Sequence, residues 1–381
     1  MHLSSYLISA QTIIVAYDGA VPFAAWLKGY FREHKKFGSR DRKLVSDLCF
    51  CNFRLGRSFS DWPVVDRLLA GQFLCHQEST FVAELKEEWK EKIHLPLEEK
   101  IRFLLADAPA SIFPYLEEVS QVINQQSFAV SFLQQPDLFL RIRPGKEKIV
   151  LRKLTESGIS FQQNGSCLQL PISTKAEEMI VLDEEAVVQD ISSQQVLQPL
   201  VQHFTAHQFS AWDCCAASGG KTILLHDHFP SAKLTATDIR GSILMNLRNR
   251  LKRASIRSFH AFVADLSGKA LVQQKFDVII CDAPCSGSGT WGRTPEQLCY
   301  FPKEKIDYYA NLQKKIAVNA SHSLKPGGYF LYITCSVFYR ENEDVAEYLQ
   351  QETGLKLVVQ QYHIGYDKNG DTLFTALFTA L

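Results

Sequence analysis

The sequence predicts an α/β chain in which a mostly parallel, doubly covered sheet follows a helical region and a small α+β unit. Three observations carry this reading. From about residue 191 onward, apolar strand-like runs alternate with helical patterns. Before about residue 125, apolar residues recur at three- and four-residue spacing, with few glycines and no strand runs. Between about 126 and 190, short alternating runs are broken by turn residues. The chain has 381 residues, enough for roughly two or three domains, and boundaries are expected at 1–125, 126–190 and 191–381.

In the helical region, Leu44, Leu48, Cys51 and Leu55 mark one helix face. A basic cluster accompanies it: Lys28, Arg32, Lys35, Lys36, Arg40, Arg42 and Lys43, against Glu33 and Asp41. A solvated helix face explains such a cluster equally well. It gains weight as a phosphate-binding patch only beside a domain that does RNA chemistry. In the middle region, Leu138–Arg143 alternates and Pro144-Gly145 turns the chain. Further short strands are expected at Ile149–Leu151, Ile159–Phe161, Cys167–Leu170 and Ala186–Val188. The basic residues here, including Arg141 and Arg143, suit either a phosphate backbone or charges on an edge strand.

In the last region, strands are expected at Ser210–Cys214, Lys233–Thr237, Ser258–Val263, Phe276–Cys281, Gly328–Thr334, Leu355–Gln360 and Thr372–Thr379. The closing strands, which lack a good crossover helix, are candidates for antiparallel pairing.

Composition limits the function classes. Apolar residues make up 46%, so each domain can bury a core, and 41 basic residues balance 41 acidic ones. A neutral average leaves nucleic acid open, provided that the basic surface is local. No run of about 18 apolar residues predicts a membrane span, and the N-terminus lacks the features of a signal peptide. Ten irregularly spaced cysteines fit reduced thiols in a cytoplasmic protein. No C-x-x-C pair occurs, and His226 and His228 stand two apart with no cysteine pair nearby, so no metal is expected.

Four motifs carry chemistry. The first, Asp213-Cys-Cys-Ala-Ala-Ser-Gly-Gly-Lys-Thr222, follows a strand and opens a helix, so its glycines let a ligand approach the backbone at a helix N-terminus. A phosphate-binding P-loop would need glycine where Cys215 stands, which argues against an ATPase. The second is a pair of acids, Asp238 and Asp265, at the ends of successive strands. Asp238 is placed for ribose hydroxyls and Asp265 for an adenine amino group. Either alone is more often a helix cap; with the glycine turn they describe an adenosyl cofactor along the carboxyl edge of a sheet. The third runs from Asp282 through Ala-Pro-Cys285-Ser-Gly to Arg293, and the fourth is Thr334-Cys335-Ser336, followed by Glu341-Asn342-Glu343. Two cysteines on neighbouring strand-end loops facing a nucleoside cofactor are hard to explain as packing.

These blocks, in this order and spacing, resemble the RsmB/Sun family of RNA 5-methylcytosine methyltransferases. The family's C-A-A-P-G-G-K is matched by Cys215 to Lys221 except at Ser218, and the D-A-P-C-S-G and T-C-S blocks are complete. Gln189-Asp190 matches the family's Q-D pair, and Gly38–Arg42 with Arg54 is similar to the helical NusB-like domain of bacterial rRNA members. The resemblance implies a class I (Rossmann-like) methyltransferase domain and S-adenosylmethionine as cofactor. It implies a cofactor site of Cys215, Ala216, Ala217, Ser218, Gly219, Gly220, Lys221, Asp238, Asp265 and Asp282. It assigns the covalent nucleophile to Cys335, product release to Cys285, a contact at nitrogen 3 of the base to Asp282, and a base-facing charge to Lys221. RNA is the implied partner, with ribosomal RNA expected from the bacterial members, and the chain is expected to act as a monomer. Ser218 in place of proline is expected to loosen the cofactor loop slightly. The family's R-x-N pattern appears as Arg141-Ile142-Arg143, and the run Arg240, Arg248, Arg250, Lys252, Arg253 and Arg257 is expected to track RNA.

Two rivals belong to other classes. A non-catalytic RNA-binding assembly factor on the same scaffold has no use for both thiols. A DNA cytosine methyltransferase resembles this chemistry but keeps its nucleophile in the P-C block, whereas here the T-C-S block is intact.

Overall fold

A computed structural model describes residues 2–105, 111–268 and 272–381. They form two compact bodies. The first holds the chain up to Glu117 together with Asn124–Gln135 and Trp291–Pro302; the second holds Glu118–Ile123, Pro136–Thr290 and Lys303–Leu381.

The first body is helical. Its principal helices are α1 (Leu3–Ala16), α2 (Phe23–Glu33), α3 (Ser39–Arg54), α4 (Val64–Cys75) and α5 (Leu97–Leu105). Asp41 starts α3 by accepting the Gly38 backbone N–H at 2.9 Å and the Tyr6 hydroxyl at 2.7 Å. Phe23, Leu27 and Phe31 recur every four residues and bury one face of α2. Arg54 is a structural bolt. It is buried and donates to the carbonyls of Phe132, Gln134 and Gly292, at 3.0, 3.1 and 3.0 Å. Lys28, Arg32, Arg42 and Lys43 line a groove of about 520 Å³ whose floor includes Leu27, Phe31 and Phe50.

The second body contains two sheets. The smaller has the order β2-β3-β1-β4, with β1 (Leu138–Ile142), β2 (Gln162–Asn164), β3 (Cys167–Leu170) and β4 (Ala186–Val188), all antiparallel. Ile149–Leu151, expected as a strand, lies instead inside helix α6 (Glu147–Glu156). Val150 and Leu154 are its buried residues, four apart, so the helical period decides where a short apolar run is ambiguous. Ile159–Phe161 is not a strand either; pairing begins at Gln162.

The larger sheet has the order β10-β11-β9-β8-β5-β6-β7. Its strands are β5 (Ser210–Asp213), β6 (Lys233–Asp238), β7 (Phe259–Val263), β8 (Phe276–Asp282), β9 (Leu324–Thr334), β10 (Lys356–His363) and β11 (Leu373–Thr379). Only β11 is reversed: it pairs antiparallel with both β9 and β10, and the remaining neighbours are parallel. The closing strands therefore do not behave alike. Helix α10 (Glu343–Thr353) is the crossover that returns β10 in the direction of β9, while the short connection after β10 makes a hairpin. Helices α7 (Gly220–His228), α8 (Gly241–Arg253) and α9 (Glu304–Ser321) complete the cover. Separate apolar cores lie on the two faces of the sheet. One contains Leu224, Leu247 and Ile280; the other contains Trp212, Ile279 and Ala317. Strand order runs outward in both directions from β5, so a crevice opens at the carboxyl ends of β5 and β8.

Candidate active site

Five strand ends meet that crevice. The loop after β5 supplies Cys215 to Gly220, β6 ends on Asp238, β8 on Asp282 and β9 on Thr334, while Asp265 lies two residues beyond β7. The first loop is shaped to expose its backbone. Ala217 (φ 45°) and Gly219 (φ 87°) are both left-handed, and a Cβ on Gly219 would lie 3.1 Å from Leu247. Asp238 is buried and accepts the Ala217 N–H at 3.0 Å, tying the acid that ends β6 to the loop after β5. Its carboxylate is also held by Arg240, at 3.0 Å to the Nε. Asp265 is exposed and accepts from the backbone and hydroxyl of Ser267. The exposed peptide groups and the acid at the end of β6 suit the adenosyl half of a cofactor.

Ser218 is not loose. Arg250 donates to its hydroxyl at 3.0 Å and to its carbonyl at 3.3 Å, and Asp183, buried in the turn before β4, grips Arg250 at 2.8 Å and Arg253 at 2.6 Å. An ion-paired guanidinium thus does the work that a proline ring would do by restricting φ. The same contacts engage part of the basic run. Arg240, Arg250 and Arg253 are ion-paired, and Arg248 donates to the Ala261 carbonyl. Arg141 and Arg143 are likewise internal. Both clamp Asp227, at 2.6 and 2.7 Å, and despite burial these charges hold its carboxyl far below the usual range.

The reactive centre brings four of the expected residues together. Lys221 Nζ lies 2.6 Å from Asp282 Oδ2. Burial works against the Lys221 charge, but Asp282, Cys335 and Asp213 outweigh it and keep the ammonium protonated. Cys285 Sγ and Cys335 Sγ are 3.2 Å apart. The hydrogen bond to Cys335, then burial, pushes the Cys285 thiol well up.

Glu341, which follows the fourth motif and was given no role from sequence, frames both thiol loops. It is fully buried and accepts from Ser286 N–H at 2.9 Å, Ser336 Oγ at 2.8 Å and Gln313 Nε2 at 2.9 Å. Asn342 adds a bond from its Nδ2 to the Ser336 carbonyl at 2.8 Å. Gly289 closes the frame by donating its N–H to the Cys335 carbonyl, in a space where a Cβ would lie 2.0 Å from the Thr372 carbonyl oxygen. The only signal in the sequence was an acid and an amide six and seven residues after a cysteine, a spacing with no periodic meaning.

Asp213 is a second unanticipated group. It is fully buried, accepts the Thr222 hydroxyl at 2.6 Å through Oδ2, and among the described residues leaves Oδ1 without a partner. Burial, with Asp282 nearby, raises its pKa to about 7. A raised carboxyl stabilises the fold while protonated, and that contribution is lost as pH rises through about 7. Asp213→Asn, which cannot ionise, is expected to flatten the fall in stability between pH 5 and pH 8 by about 2–3 kcal/mol. Urea denaturation at the two pH values measures this, and parallel curves for the two proteins would refute it.

Comparison with known proteins agrees with this geometry. The family model described as 16S rRNA methyltransferase RsmB/F matches residues 201–373. Ribosomal RNA small subunit methyltransferase B of Xanthomonas campestris pv. campestris is 36% identical over 169 residues, which cover 44% of this chain and 38% of that protein. The match thus spans less than half the length of this curated relative. The crystal structure of PH0851 superposes with a TM-score of 0.70 over 92% of this chain and 93% of its own, at 19% identity. That of NSun6 from Pyrococcus horikoshii with SFG gives 0.57 over 70% and 99%, at 15% identity. At these identities the likeness establishes the fold. Fold and strand-end site together define the class I methyltransferase fold, whose cofactor is S-adenosylmethionine. The likeness to the RsmB/F family extends over residues 201–373 of the chain. No helix among the described residues is long and apolar enough to cross a membrane.

Proposed function

We propose that this protein transfers a methyl group from S-adenosylmethionine to carbon 5 of a cytosine in RNA, with ribosomal RNA as the substrate class that its relatives' names suggest. The observation that carries the reading is the pair of thiols 3.2 Å apart, beside a lysine–carboxylate pair at 2.6 Å, on one sheet edge. Carbon 5 of cytosine is a poor nucleophile. Attack of the Cys335 thiolate on carbon 6 forms a C–S bond and pushes electrons toward carbon 5 and nitrogen 3. Asp282 meets nitrogen 3, and Lys221, bonded to Asp282, supplies the positive charge that balances the ring. The cofactor supplies an electrophilic methyl group. Release then requires loss of the carbon 5 proton and breakage of the C–S bond, which returns its electron pair to Cys335. Cys285, in contact with that sulfur, assists this half of the reaction. The base must be unpaired or flipped to enter.

The cofactor half is tested by Asp238→Ala. Loss of a charged hydrogen bond to the ribose is expected to weaken S-adenosylmethionine binding by roughly 10–100-fold in a folded protein. Calorimetry that finds the same affinity would remove Asp238 from the site. The product is tested by bisulfite sequencing of total RNA. A cytosine protected in the parent strain and converted in the deletion strain is the expected result, and identical protection everywhere would refute the reading.

A further inference from the structure

Sequence spacing gave no reason to expect a metal, but the helical body assembles donors that spacing keeps apart. Asp47 and Cys51 are four residues apart on α3 and share one face. Cys75 ends α4 and His76 follows it. His76 Nε2 lies 2.9 Å from Asp47 Oδ2 and 3.3 Å from Cys51 Sγ, and the three donor atoms all lie within 4.8 Å of one another. We propose that Asp47, Cys51 and His76 bind a zinc ion that staples α3 to the end of α4.

The spacing of the donors supports this. Zinc–ligand bonds of about 2.0–2.3 Å in a tetrahedron place the donors about 3.3–3.8 Å apart, so the His76–Asp47 and His76–Cys51 pairs, at 2.9 and 3.3 Å, need to open by only a few tenths of an ångström. Thiolate and imidazole ligands select zinc over magnesium or calcium. An outer shell is in place. Gln72 is buried and donates from Nε2 to Asp47 Oδ2 at 2.7 Å and to Cys51 Sγ at 3.5 Å, while its Oε1 accepts from Ser79 Oγ at 2.9 Å. One carboxylate, one thiolate and a neutral imidazole balance the charge of a bound zinc. A groove of about 400 Å³, lined by Arg40, Asp47, Gln72, His76 and Ser79, leads from solvent to the donors. Without metal, the same residues form an Asp47–His76 ion pair, and the experiment separates the two states.

The test uses the full chain, loaded with zinc chloride, dialysed and analysed for metal by mass spectrometry. A tetrahedral structural site predicts about one zinc per chain. That content is expected in the wild type and in Cys281→Ser, which breaks the separate thiol cluster of Cys214, Cys215 and Cys281. It is expected to fall at least about tenfold in Cys51→Ser and in His76→Asn, as befits loss of one of three protein ligands. A wild-type chain that retains no zinc would overturn the proposal, as would variants that retain it all. Should the variants precipitate, cobalt substitution of Cys281→Ser decides. Intense tetrahedral d–d bands with thiolate charge transfer are the expected spectrum, and their absence overturns the site.

Discussion

Cys335→Ala is expected to lose methyl transfer by about 1000-fold or more and to form no covalent complex with RNA, because no other group can open the carbon 5 position. Cys285→Ala is expected to behave in the opposite way: it still attacks and methylates, then fails to release, and it accumulates as a protein–RNA adduct that survives denaturing gel electrophoresis. The 3.2 Å contact makes the two sulfurs near neighbours, and the resemblance to the RsmB/Sun blocks is what orders their roles. An adduct in Cys335→Ala and none in Cys285→Ala would exchange the roles. Activity in both variants without any adduct would end covalent catalysis by this pair.

Asp282→Asn is expected to lower kcat by roughly 10²–10⁴-fold, the range for losing a positioned acid–base group. The amide keeps the shape of the carboxylate but cannot carry the charge that holds Lys221 at 2.6 Å. The loss should fall on kcat more than on RNA affinity, because the contact to nitrogen 3 strengthens only as the ring gains charge. Single-turnover kinetics read the step directly. A variant with unchanged single-turnover rate and intact fold would remove Asp282 from the chemistry.

What was legible from the sequence follows the physical range of each signal. The β5 glycine turn, the acid that ends β6 and the two cysteine loops are local patterns, and each strand of the large sheet was found within a few residues of its observed ends. Ile149–Leu151 failed because a three-residue apolar run has no period, and only the burial of Val150 with Leu154 shows the helix. Arg250 and Arg253 read as an RNA track because their partner, Asp183, lies some 70 positions earlier in the chain and in another sequence region. Glu341 and Gln313 were missed for the same reason: their role is a long-range bond between loops and helix, and neither sits in a recognisable pattern. The Asp47, Cys51 and His76 cluster shows the same limit in the helical body, where two helices must pack before the donors meet.

The most direct test of the central claim is tritium release from RNA labelled with tritium at carbon 5 of cytosine. Methylation at that carbon must expel its hydrogen to water, whereas methylation at any nitrogen or ribose oxygen leaves the label in place. The account predicts release that depends on S-adenosylmethionine, equals the methyl groups incorporated, and disappears in Cys335→Ala. Methyl incorporation without tritium release would contradict it.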